Sequence, residues 1–136
     1  MKRALHLKNR EMNWCDFTNK KIYNDIVILD GYPGINPTIK PYFTCKTLFV
    51  DSCDKNFVYY FIDKSSFPFV KNLYLGSHPC EPEVLWRKFD NIYLLDKYST
   101  YKERWSKNND NIKIISDTDF IKELQDHRFE DIKLSL

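Results

Sequence analysis

Glycine is scarce in this chain: three residues in 136, with six prolines. So small a supply argues against a glycine-cradled nucleotide site, where the backbone must approach a phosphate closely. Long hydrophobic runs are missing too. The N-terminus, Met1-Lys2-Arg3-Ala4-Leu5-His6-Leu7-Lys8, has no apolar stretch long enough for a signal peptide, and no segment approaches the ~20 apolar residues that span a bilayer. Neither sign of charge is in excess. Twenty-one Lys and Arg stand against 19 Asp and Glu, a formal net charge of +2, too small by itself to imply nucleic-acid binding. The four cysteines, Cys15, Cys45, Cys53 and Cys80, show neither the spacing of a disulfide framework nor the C-x2-C pair of a zinc knuckle. These absences predict a cytoplasmic protein with reduced thiols, no membrane association and no cofactor.

What the chain does have is core-forming material: 43% hydrophobic and 16% aromatic residues in a length suited to one domain, residues 1–136. Short alternating segments near 4–7, 25–30, 47–51, 72–76, 91–96 and 111–116 are predicted strands. Each contains an aliphatic, any residue, then a second aliphatic. The first aliphatics, Leu5, Ile26, Leu48, Leu73, Ile92 and Ile112, are separated by 21, 22, 25, 19 and 20 residues. Three of them follow an asparagine (Asn72, Asn91 and Asn111).

Helical segments are expected between the strands. The run 56–62 is apolar all round, predicting a helix buried on most sides. Residues 81–89 start with two glutamates and a first-turn proline, favourable at the positive end of a helix. Residues 118–124 follow a candidate cap, Asp117 or Thr118, and place Phe120, Ile121 and Leu124 on one face. The breaker-rich loop 31–37 predicts an irregular connection.

A strand, a turn and a crossover recurring every ~20–25 residues is the pattern of a solenoid. The chain resembles, irregularly, the leucine-rich-repeat family over residues 5–120. In Leu48-Phe49-Val50-Asp51-Ser52-Cys53 a cysteine stands where that family places an inward Asn or Cys, and after Leu73-Tyr74-Leu75-Gly76-Ser77 the slot falls to His78. The slot is filled by Gly31, Lys97 or Asp117 in other units, which departs from the pattern. The resemblance implies a short α/β solenoid with a curved parallel sheet. A doubly wound α/β sandwich is the alternative, since βαβ units recur at the same interval. Strand composition separates the two. A strand covered on both faces is apolar throughout, whereas the intervening positions here are His6, Val27, Phe49, Tyr74, Tyr93 and Lys113. Tyrosine and lysine suit a face open to solvent or a partner. Solenoid ends expose core, so residues 12–17 and the tail 129–134 are the expected caps.

The reactive residues give weaker signals. Ser77-His78-Pro79-Cys80 precedes Glu81 and Glu83, whose charges oppose a thiolate, and Arg87 makes C-x6-R instead of the C-x5-R of a phosphatase-type loop. Cys45, Cys53, His78 and Cys80 supply enough donors for zinc but lack its spacing, and no metal is assigned. Asp30, Asp51, Asp96 and Asp117 recur after strands, where ligand sites form in α/β enzymes but where aspartate also favours turns and caps. The run 98–107 mixes aromatics with bases, as single-strand RNA binding would need, yet Tyr98, Tyr101 and Trp105 have the spacing of a core face. No catalytic residue is assigned.

The aromatics carry more. Phe49, Tyr74 and Tyr93 share one register in three successive units, with Lys113 in the next, and form a ladder of the kind that populates interface hot spots. The expectation is a non-catalytic adaptor contacting a protein partner through Phe49, Tyr74, Tyr93 and Lys113. The alternatives are an RNA-binding accessory subunit or a small hydrolase with a strand-end Asp or Cys site. The chain is rich in Lys, Asn, Ile and Tyr, and with its stretch NLYLGSHPCEPEVLWRKFDNIYL it is similar to proteins of giant amoebal viruses. That resemblance implies a viral source, with host cytoplasm or virion as location, and transfers no functional residue.

Overall fold

The computed structural model describes residues 4–8, 21–22, 25–32, 42–62, 67–79, 89–105 and 111–128. In chain order the strands are β1 (Ala4–Lys8), β2 (Lys21–Ile22), β3 (Ile26–Asp30), β4 (Tyr42–Phe43), β5 (Thr47–Asp51), β6 (Asn72–Gly76), β7 (Asn91–Leu95) and β8 (Ile112–Ile115). The helices are α1 (Lys55–Phe61), α2 (Ser99–Trp105) and α3 (Asp117–Arg128), with a 3-10 turn at Asp96–Tyr98 leading into α2. The architecture is α/β, built on a six-stranded open sheet in which every pairing is parallel, in the order β1-β3-β5-β6-β7-β8. The order follows the chain without reversal, so the sheet lacks the switch point of a doubly wound fold. β2 and β4 form a separate parallel pair that period-2 patterning could not reveal, because two residues carry no period.

Strict register aligns the strands. The row Leu5, Val27, Leu48, Leu73, Ile92, Ile112 runs straight across the sheet. Val27 therefore replaces the expected Ile26, and its neighbour in the adjacent row is Ile28, not Val27. Alternation could not fix this strand, because Ile26, Val27, Ile28 and Leu29 are all apolar and all buried. β3 reads as a run because it is covered on both faces.

One face of the sheet carries the main core. Leu5, Leu7, Val27, Leu29, Leu48, Val50, Leu73, Leu75, Ile92, Leu94 and Ile112 pack there against Phe43, Phe57, Phe67 and Phe89 from the connections. Phe43 stacks on Phe67 and Tyr32 on Phe57, at 4.7 and 5.1 Å between centroids. In α1, Asp54 is the cap, its carboxylate accepting from the Asn56 amide at 2.8 Å. The helix buries Phe57 and Val58 and exposes Tyr59.

Polar side chains stitch the units together at both strand ends. At the start, the Asn91 amide donates to Asn72 Oδ1 at 3.0 Å and the Asn111 amide to the Phe89 carbonyl at 2.7 Å. At the end, Cys53 points inward and its thiol donates to the Leu29 carbonyl at 3.6 Å. In the following unit the inward residue is Ser77, not the expected His78. The Ser77 hydroxyl accepts from the Cys53 backbone N–H at 2.9 Å and donates to the Val50 carbonyl at 3.4 Å. His78 is half-buried instead, with Nε2 2.9 Å from the Tyr101 hydroxyl. Gly31 and Ser52 stand at equivalent positions just past β3 and β5, and both have positive φ, 77° and 55°. The expected helix 81–89 has residues 81–88 outside the described residues, as are the expected caps 12–17 and 129–134 and most of the loop 31–37.

Candidate binding face

The second face of the sheet is the one with the aromatic register. Its central row is His6, Ile28, Phe49, Tyr74, Tyr93, Lys113, each paired with the next across neighbouring strands. Parallel strands lie about 4.8 Å apart, close to the spacing at which flat rings stack. Phe49 lies on Tyr74 at 4.4 Å and 13°, and Tyr74 on Tyr93 at 4.3 Å and 9°. The Lys113 ammonium completes the row, 5.4 Å from the Tyr93 centroid. The four residues read from the sequence do form one ladder. At its other end His6 Nε2 lies 2.9 Å from Asp30 Oδ2, with the imidazole almost wholly enclosed.

The sequence did not reveal what covers this face. α3 follows β8 after a single residue and reaches β1 across the sheet. It begins on Ser116, whose hydroxyl accepts from the Asp119 N–H at 3.1 Å, so Ser116 is the cap in place of Asp117 or Thr118. Phe120 and Leu124 enter a cluster with Ile26, Ile28, Phe49 and Leu95. Ile121, expected on the same side, is 50% exposed. Gly76 makes the crossing possible: a Cβ there would stand 2.4 Å from the Phe120 ring.

The ladder is therefore split. Phe49 is completely buried beneath Phe120, 6.1 Å away edge-on, and offers no surface to a partner while α3 is docked. Tyr74 and Tyr93 are half-buried and Lys113 is exposed. Burial, with Tyr93 and Glu123 nearby, pushes the Tyr74 phenol up to about 12. Beside the uncovered end lies an open groove of about 410 Å³, with Tyr93 and Lys113 on the sheet side and Asp119, Lys122 and Glu123 on the flank of α3.

The other sequence candidates fall elsewhere. Cys45 and Cys53 are buried free thiols, and burial pushes both up to about 12; Cys80 lies outside the described residues. Among the described residues no three His, Cys, Asp or Glu side chains gather as metal ligands. Asp51 and Asp117 share a small hollow of about 180 Å³ with Ser52 and Lys97. Tyr98 and Tyr101 pack against the main core, and both meet the His78 ring edge-on. Among the described residues no helix is long and apolar enough to cross a membrane.

An α/β chain on a six-stranded, all-parallel open sheet is the class that these observations define. The chain belongs to a family described as one of unknown function (DUF5845), whose pattern matches residues 27–106. It is 52% identical to uncharacterized protein R849 of Acanthamoeba polyphaga mimivirus over 134 residues, covering 98% of this chain and 95% of that protein. It is 43% identical to uncharacterized protein L163 of the same virus, covering 98% of both. The similarity to giant amoebal virus proteins drawn from the sequence thus holds across nearly the whole chain. No solved structure matches.

Proposed function

We propose that this protein is a non-catalytic adaptor that holds a protein partner on the uncovered end of its aromatic ladder. The observation that carries the reading is the stack Phe49–Tyr74–Tyr93–Lys113, anchored under α3 at one end and open at the other. Rigid stacked rings lose little entropy on binding, and a desolvated tyrosine beside a cation is a favourable anchor. The partner-facing residues are then Tyr93 and Lys113, with the edge of Tyr74 and the Asp119–Lys122–Glu123 flank of α3. In the same reading the sheet, partly covered by α3, is that of a short, irregular leucine-rich-repeat-like solenoid. The unreversed strand order and the side-chain ladders from Cys53 and Ser77 support this. Host cytoplasm or the virion is where such an adaptor works.

The test is co-purification of the tagged chain from infected amoebae, followed by direct binding of the recovered partner. Wild type is expected to hold a stoichiometric partner, and Tyr93→Ala with Lys113→Ala to weaken it at least tenfold while the circular dichroism spectrum is unchanged. A folded double variant that binds the same partner with unaltered affinity overturns the reading.

A further inference from the structure

A different surface, at the starting edge of the strands, carries a second ligand chemistry. There the connections leave two large aromatics in solvent, Phe69 at 51% exposure and Tyr42 at 37%, with rings meeting edge-on at 6.4 Å. Exposing aromatic area forfeits the burial that the adjacent Phe43, Phe67 and Val70 all achieve. Phe69 lines an open depression of about 410 Å³, within the range of small-molecule sites, together with Pro68, Lys46, Lys71 and Asp90.

The lysines are fixed by the repeat itself. The Lys71 N–H donates to the Lys46 carbonyl at 2.8 Å, so their backbones sit one strand apart in the column that precedes β5 and β6. Both side chains are exposed. Among the described residues the same column holds Asp25, whose carbonyl accepts from the Lys46 N–H, and Asp90 closes the depression beyond Lys71. Among the described residues the cationic strip is therefore two residues wide, with Asp25 on one side and Asp90 on the other.

We propose that this depression binds single-stranded nucleic acid, one base stacking on Phe69 and two phosphates lying on Lys46 and Lys71. A sequence-tolerant aromatic platform beside cations is the minimal single-strand site, since every base has a π-face and every linkage a charge. Asp90 repels phosphate but accepts hydrogen bonds from exocyclic amino groups, as acidic side chains do from cytosine. Strands of adenine or cytosine, which carry such groups, are accordingly preferred over strands of uracil. An acidic protein segment satisfies the lysines but has no use for an exposed ring flanked by a carboxylate.

The experiment is fluorescence anisotropy of the full-length chain with labelled eight-nucleotide strands of adenosine, cytidine and uridine, over a range of salt concentration. Adenosine or cytidine strands are expected to bind more tightly than uridine, with a log–log salt slope near −1.4 for two phosphates on a single strand. Phe69→Ala is expected to weaken binding at least about fivefold, the loss of one stacked base, and Lys46→Ala with Lys71→Ala to flatten the salt slope. Asp90→Ala, which deletes the acceptor, removes the preference against uridine. No binding at 50 mM salt, or a Phe69→Ala protein binding as wild type does, overturns the proposal. So does a polyglutamate peptide that displaces the strand from wild type and binds Phe69→Ala undiminished, which makes the strip an acidic-protein dock. None of these residues belongs to the aromatic ladder, so either result leaves the adaptor reading to its own test.

Discussion

Gly76 and Phe120 show how one residue governs the reach of a neighbour. The glycine's missing Cβ is the space that the Phe120 ring occupies over β6. Gly76 is a strand residue paired with Asp51, where a glycine weakens a strand and marks a close approach. Gly76→Ala drives the ring from its seat and is expected to cost about 1–3 kcal/mol by overpacking. Phe120→Ala is expected to cost about 3–5 kcal/mol by emptying the seat. The two effects meet at one contact, so urea denaturation of the single and double variants should give a strongly non-additive cycle. In Gly76→Ala/Phe120→Ala the alanine methyl partly fills the vacated space. A double variant whose loss equals the sum of the singles shows that the contact is not what seats α3.

At the scale of elements, α3 holds to the sheet by little. Phe120 and Leu124 are its buried residues among those with described side chains, while Asp117, Thr118, Asp119, Ile121, Lys122, Gln125 and Asp126 face solvent. Stability is not uniform across a fold, and an element with few buried anchors opens at lower free energy than the core strands. The Ser116 cap matters correspondingly. Ser116→Ala orphans the Asp119 N–H and is expected to cost about 1 kcal/mol. Amide hydrogen exchange should show that loss as faster exchange confined to α3, with β5 and β6 unchanged. Equal acceleration across the sheet marks α3 as an inseparable part of the core. The ladder residue most affected by opening is Phe49, which is completely buried with Phe120 edge-on to its ring and Tyr74 stacked on it.

For the whole molecule, the protonation of three buried or half-buried groups bears on stability at alkaline pH. Burial raises the Cys45 and Cys53 thiols from 9.0 and the Tyr74 phenol from 10.0, each to about 12. The unfolded chain therefore deprotonates first. Stability from these groups is fully present below about pH 9 and is lost as the pH rises toward 12. Urea midpoints are expected to hold up to about pH 9 and fall above it, with a shallower fall in Cys45→Ala. The native protein should also leave Cys45 and Cys53 unalkylated by iodoacetamide at pH 8 and label both in urea, read by peptide mass mapping. Rapid native labelling of either thiol contradicts their enclosed positions.

Much of this was legible in the residues. Strand alternation has a period of two, a purely local property, so Leu48-Phe49-Val50 and Leu73-Tyr74-Leu75 declare which side chains share a face before any contact is known. The repeat interval then aligned Phe49, Tyr74, Tyr93 and Lys113. Where alternation was absent the register slipped by one, at Ile26-Val27-Ile28-Leu29, because a strand buried on both faces carries no period. The inward turn of Ser77 instead of His78 depended on a hydrogen bond to Val50, 27 residues earlier. Local sequence by itself determined the six strands of the main sheet, their spacing and the aromatic row. Only the tertiary structure decided that α3 lies over half of that row. The contacts that place it, Phe120 on Gly76 and Leu124 near Ile26 and Ile28, join residues far apart in the chain, and no local pattern encodes them.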